Sequence, residues 1–146
     1  MSHATWVVPV AVPAEEMISL NGRAHFMAVH RQTVALRERG YFAVRATPHP
    51  QYEHAACKVL IRYPDTRVRR DVANYMGTVK PIIDGMVAAR LLPDDDDTHL
   101  EGPWLRKWVS GDYPDIDDKC GRAFLALAPT IRWFRFAFCF DGTGRW

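Results

Sequence analysis

The clearest alternation of apolar and polar positions lies near the end of the chain, in Ile131-Arg-Trp-Phe-Arg-Phe-Ala-Phe-Cys-Phe140. Phe134, Phe136, Phe138 and Phe140 fall on one side of this period-two pattern, which predicts a strand ending at Asp141-Gly142. A second strand is predicted over 55–63, with Cys57, Val59, Ile61 and Tyr63 sharing a face and Pro64-Asp65 stopping it. Residues 5–12 are β-branched and apolar but hold Pro9, so they read as an edge strand or a strand with an irregular middle. Between 24 and 46, Phe26, Val29, Val34, Leu36 and Tyr41 recur among arginines, as in a half-buried helix broken or ended near Gly40. Over 78–91, Val79, Ile82, Ile83, Met86, Val87 and Arg90 recur at three- and four-residue steps, predicting a second helix with Lys80 and Asp84 one turn apart on its other side. Thr78 as its N-cap would keep Pro81 in the first turn, where the missing N–H does no harm. From 98 to 122 the Gly, Pro, Asp and Trp content predicts a short strand over 98–101 and then a long loop. Strands separated by helices give an α/β (α+β) fold, a mixed β-sheet packed against helices.

Composition narrows this only slightly. With 146 residues, 48% of them apolar, the chain is expected to form a single domain, 1–146. The start lacks the pattern of a signal peptide and no apolar run is long enough to cross a bilayer, so a soluble, cytoplasmic protein without a membrane partner is expected. The three cysteines, Cys57, Cys120 and Cys139, form no Cys-x-x-Cys pair, and Cys57 and Cys139 lie in apolar stretches that read as core.

Charge distribution says more than the net +2. Arg62, Arg67, Arg69 and Arg70 crowd before Asp71, Arg23, Arg31, Arg37 and Arg39 recur earlier, and acidic residues concentrate in 94–97 and 112–118. The run Asp94-Asp95-Asp96-Asp97 sets four carboxylates side by side. Their mutual repulsion is relieved by solvation or by a cation, and a hard divalent ion takes such oxygen ligands. Basic residues beside a carboxylate cluster are what a metal-dependent phosphodiesterase needs, because carboxylates alone repel a phosphate backbone. A mixed, solvated surface explains the same charges without chemistry.

The order Arg69-Arg70-Asp71-Val72-Ala73-Asn74, then Lys80 and Asp84 on a helix, then Leu91-Leu92-Pro93-Asp94-Asp95, resembles the central signature of the RusA-type Holliday junction resolvases. The likeness is clearest over 57–107 and extends weakly to Asn21, Arg23 and His25. It implies a RusA-like fold and a homodimeric endonuclease, dependent on Mg2+ or Mn2+, that nicks branched DNA such as four-way junctions in recombination and repair and is often encoded by phages. Carried over, Asp71 is the first catalytic carboxylate, Asp95 the closing one and Lys80 the helix lysine. Asp71, Asp94 and Asp95 become candidate metal ligands, and Arg23, Arg67, Arg69, Arg70 and Asn74 candidate DNA contacts. The pattern departs at the second carboxylate, where Ala73 stands, and Gly77-Thr78-Val79 is inserted before Lys80. Asp94, Asp96, Asp97 or His99 are the available replacements.

Helix geometry adds a constraint. A straight helix over 78–91 is roughly 20 Å long, so Asp71 and Asp95 share a metal only if the flanking loops fold back or a second chain contributes. In a two-fold dimer with these helices antiparallel, Asp71 of one subunit would approach Asp95 of the other. Lys80 would stabilise charge on the scissile phosphate; its competing role is a surface ion pair with Asp84. Trp104, Trp108 and Tyr113, beside Arg106 and Lys107, read as stacking platforms for unpaired bases or as packing anchors. If the loss at Ala73 is not made good, the alternative is a non-catalytic RusA-like module that binds DNA or a protein.

Overall fold

A computed structural model describes residues 3–18, 25–65, 69–109 and 132–144. The elements are β1 (Thr5–Pro13), α1 (Phe26–Arg45), β2 (Ala55–Arg62), α2 (Met76–Ala88), β3 (Leu100–Lys107) and β4 (Trp133–Asp141), with 3-10 turns at Ala14–Glu16 and Val72–Tyr75. The strands form one mixed sheet in the order β1-β4-β2-β3. β4 pairs antiparallel with β1 and β2, and β3 lies parallel to β2 at the other edge. The result is an α+β fold. No described helix is long and apolar enough to cross a membrane.

The alternation seen in the sequence determines which side of the sheet the helices cover. Phe134, Phe136, Phe138 and Phe140 from β4 join Cys57, Val59 and Ile61 from β2 and Val8, Val10 and Val12 from β1. Onto this surface α1 places Leu36 and Val44, and α2 places Val79, Ile82, Ile83 and Met86. The opposite side carries a smaller cluster of Leu60, Trp108, Ala137 and Cys139. Cys57 and Cys139 are both buried, on different faces.

Four expectations are corrected by the packing. First, α1 runs unbroken through Gly40. A Cβ on Gly40 would overlap the carbonyl oxygen of Ile82 and lie 2.8 Å from its carbon; one on Gly85 would overlap that of Arg37 and lie 2.8 Å from its carbon. The two glycines therefore let α1 and α2 cross backbone to backbone. Second, Phe26 and Val34 are not on the buried side, being 75% and 45% exposed.

Third, α2 begins at Met76, directly after the 3-10 turn, so Thr78 is inside the helix and Pro81 is its sixth residue. Thr78 is fully buried, and its hydroxyl donates to the Ile18 carbonyl and accepts from the Ile18 N–H, both at 2.8 Å. That tie to the chain before α1 replaces the expected capping role. α2 also ends earlier, at Ala88, and Arg90 takes the left-handed conformation with φ 69° instead of continuing the helical stripe. Fourth, β3 extends through Lys107, so Trp104, Arg106 and Lys107 belong to a strand rather than a loop. The turn signal at Gly102-Pro103 is a bulge within it. The register runs Ala56 opposite Glu101 and then Lys58 opposite Trp104, one extra residue on β3. Gly102 sits at φ 94°, where a Cβ would lie 2.5 Å from the Cys57 carbonyl oxygen.

Candidate functional site

Asp71, Lys80 and Asp95 are positioned by one β2–α2–β3 unit. Asp71 precedes the 3-10 turn in an extended conformation, and its Oδ1 accepts from the Ala73 N–H at 3.0 Å. Ala73 thus contributes only its backbone where the resembled family has a carboxylate. Lys80 is exposed on the second turn of α2, and its Nζ lies 3.2 Å from Asp84 Oδ1. The i,i+4 pair expected from the sequence is present.

The second partner of Lys80 is Asp95. After α2 the chain turns at Ala89–Leu92 and runs back along the helix, so that Asp95 Oδ2 meets Lys80 Nζ in an ion pair. This oxygen is shielded from solvent, and the Asp95 side chain is 20% exposed. The fold-back sets Asp95 alongside α2 instead of beyond its far end. Lys80 lies four residues from the start of α2, about 6 Å along the axis, and Asp71 stands on the far side of the 3-10 turn Val72–Tyr75 that precedes that end. Of the two routes open in the sequence, returning loops and a second chain, the loop after α2 does fold back, as far as Lys80.

The other aspartates mainly shape the return loop. Asp94 Oδ1 accepts from the Asp95 N–H at 2.8 Å, and Asp96 Oδ1 accepts from the N–H groups of Thr98 and His99 at 3.0 and 3.2 Å. His99 Nδ1 donates to the Glu53 carbonyl at 2.7 Å, anchoring the loop to the start of β2 rather than turning to the aspartates. Among the described residues no three His, Cys, Asp or Glu side chains converge as a ready-made ligand set. The donors are nevertheless right in kind for magnesium, which commonly uses one or two protein carboxylates and completes its shell with water and phosphate. Asp71, exposed, and Asp95, paired with Lys80, suit that use.

The basic candidates behave differently from one another. Arg69 is exposed, and Asn74 is half-buried in the 3-10 turn, its N–H donating to the Asp71 carbonyl at 3.1 Å. Arg70 turns inward: its guanidinium lies 5.6 Å from the Tyr63 ring centre and 5.1 Å from that of Phe134, and its Nη1 donates to the Tyr75 hydroxyl at 3.0 Å. Tyr63 registers both neighbours. Its pKa is pushed up by burial, then by Tyr75; Arg70 pulls it down and Asp71 pushes it up again. Arg23, Arg67, Asn21, Tyr113, Cys120 and the acidic stretch 112–118 lie outside the described residues.

No family model matches the chain, and no curated protein aligns with it significantly. The site therefore stands on its own geometry.

Two features had no short-range signal in the sequence. The Lys80–Asp95 pair spans a helix and a reversing loop, and the Arg70 cluster draws Tyr63 and Phe134 from β-strand ends far apart in the chain. Of the aromatic residues read as loop platforms, Trp108 is an anchor, 3% exposed with Arg62 5.0 Å from its ring centre, and Trp104 remains 49% exposed.

Proposed function

We propose that this chain is a metal-dependent endonuclease of the RusA-type resolvase kind, hydrolysing phosphodiester bonds in branched DNA as a homodimer. The observation that carries the reading is the return of Asp95 to Lys80 on the second turn of α2. It brings together the closing carboxylate and the helix lysine that the sequence resemblance pairs in the catalytic centre. The dimer is carried by the resemblance alone.

In this reading Asp71 and Asp95 hold Mg2+ or Mn2+, with Asp94 as a further candidate ligand. Bound by these carboxylates, such an ion would supply Lewis-acid activation of a water and of the phosphate. Lys80, with its charge at the solvent-facing edge of the pair, stabilises negative charge on the phosphate oxygens. Asp84 is a positioning residue that holds the ammonium from one turn further along the helix. Arg69, exposed beside Asp71, offers positive charge to the DNA backbone, and the sequence resemblance adds Arg23, Arg67 and Arg70 as candidate contacts.

A second reading has its own support. Ala73 offers no carboxylate, and Lys80 is already engaged by two, an arrangement that also suits a structural clasp in a non-catalytic DNA- or protein-binding module. Incubating the protein with a synthetic four-way junction in Mg2+ or Mn2+ separates the two. Nicking supports the enzyme, and binding without nicking supports the module.

A further inference from the structure

Beside Asp71, but apart from the Lys80–Asp95 pair, lies a cavity of about 320 Å³ lined by Ala14, Met17, Pro64, Arg70, Tyr75, Arg132 and Phe134. Two arginines face it and no carboxylate lines it. Neither Arg70 nor Arg132 has an acidic partner among the described residues, and Arg70 Nε is sheltered from solvent without a hydrogen-bond acceptor. Buried guanidinium N–H groups are normally paired. Arg70 is moreover fixed in place by the rings of Tyr63 and Phe134 and by the Tyr75 hydroxyl, so its fork is pre-organised. The rest of the wall is apolar or aromatic.

We propose that this cavity binds one nucleotide unit. The phosphate is taken by the guanidiniums of Arg70 and Arg132, and the sugar and base lie against Pro64, Met17 and Phe134. A doubly cationic pocket with an apolar wall complements an anion attached to a flat, weakly polar body, and planar guanidiniums match phosphate oxygens in pairs. The volume is at the small end for ligand pockets, suited to a single nucleotide and too small for a duplex. The proposal deepens the nuclease reading and rests on it for the source of the ligand, an unpaired nucleotide of branched DNA. A free mononucleotide has the same chemistry.

The test titrates the full chain with dTMP, thymidine and a 5′-phosphorylated (dT)4 strand by calorimetry, for wild type, Arg132→Gln and Arg70→Lys. Arg132 is exposed, so its replacement leaves the core intact, and Arg70→Lys keeps the charge while losing the fork. The expected result is binding of dTMP and (dT)4, at least tenfold weaker binding of thymidine, and about tenfold loss for each variant. Tight dTMP with weak (dT)4 makes the free nucleotide the ligand; comparable affinities make it the strand, and either supports the pocket. Wild-type affinity in Arg132→Gln, equal affinity for thymidine and dTMP, or no binding of either phosphate ligand would overturn it. Junction nicking by wild type and by an Arg132→Gln protein that binds dTMP normally removes the pocket and leaves the nuclease. Arg132-dependent dTMP binding without nicking does the reverse.

Discussion

Replacing Gly85 with alanine tests how α2, the helix that carries Lys80, is seated. In an ordinary helix interior the change favours folding by about 1 kcal/mol, because glycine pays more backbone entropy. Here a Cβ would overlap the Arg37 carbonyl oxygen and lie 2.8 Å from the Arg37 carbonyl carbon and 2.9 Å from the Tyr41 nitrogen, all backbone atoms of α1. No side-chain rotation relieves this, so the helices must separate by roughly 1 Å, enough to forfeit a quarter to a half of each affected contact. Leu36 and Val44 of α1 and Ile82 and Met86 of α2 belong to the core that these helices close, all 0% exposed. Overpacking of this kind costs about 3 kcal/mol at the upper end, leaving a net loss of about 2 kcal/mol. For a chain of this length that lowers Tm by roughly 6 °C. Gly40→Ala, which meets Ile82 in the same way, should act similarly, and the double variant should lose less than the sum because one separation accommodates both methyl groups. Urea and thermal unfolding of the three variants give the answer. A Gly85→Ala protein as stable as wild type would refute the close crossing.

Three further outcomes are expected. Burial and then the Asp141 charge push the Tyr52 pKa up to about 12, so the stability it contributes is fully present below pH 10 and is lost as pH rises toward 12. Since the Tyr52 hydroxyl donates to the Ala4 carbonyl at 2.8 Å, wild type should exceed Tyr52→Phe by about 1 kcal/mol at neutral pH. That advantage should fall by about 2 to 3 kcal/mol across pH 10–12, and a pH-independent difference would contradict it. Thr78→Val should cost about 2 kcal/mol in chemical denaturation, because it strips the Ile18 N–H and carbonyl of their partner; a neutral effect would mean that water replaces the hydroxyl. Burial pushes the Cys57 thiol well above its ordinary pKa, so Cys57 should resist a thiol reagent in the native protein and react in denaturant; mass mapping after brief labelling shows whether it does.

The sequence carried the sheet better than the connections. Strict alternation in 134–140 and 57–61 placed the right side chains toward the helices, because period two leaves no freedom about which residues share a face. Glycine and proline were the source of error. Gly40 read as a helix breaker and the Gly- and Pro-rich stretch after 101 as loop, whereas Gly40 serves a helix crossing and Gly102 a bulge against the Cys57 carbonyl, and both roles are set by a partner element remote in the chain. Thr78 failed as a cap for the same reason, since Ile18 competes for its hydroxyl. At the site, the Lys80–Asp84 pair was legible because it is local, while Asp95 was readable as a candidate but not as the partner of Lys80. That depends on the path of the loop after α2, held by the Tyr52 N–H on the Leu91 carbonyl and by His99 on Glu53.

Metal-dependent hydrolysis at Asp71 and Asp95 is read out by single-turnover cleavage of a synthetic four-way junction, comparing wild type with Asp71→Asn and Asp95→Asn and monitoring binding by gel shift. Wild type is expected to nick the junction in Mg2+ or Mn2+, and each variant to lose at least about a hundredfold in cleavage while binding the junction as well or more tightly. A wild-type protein that binds the junction without nicking it, or an Asp95→Asn protein that cuts as fast as wild type, would contradict it.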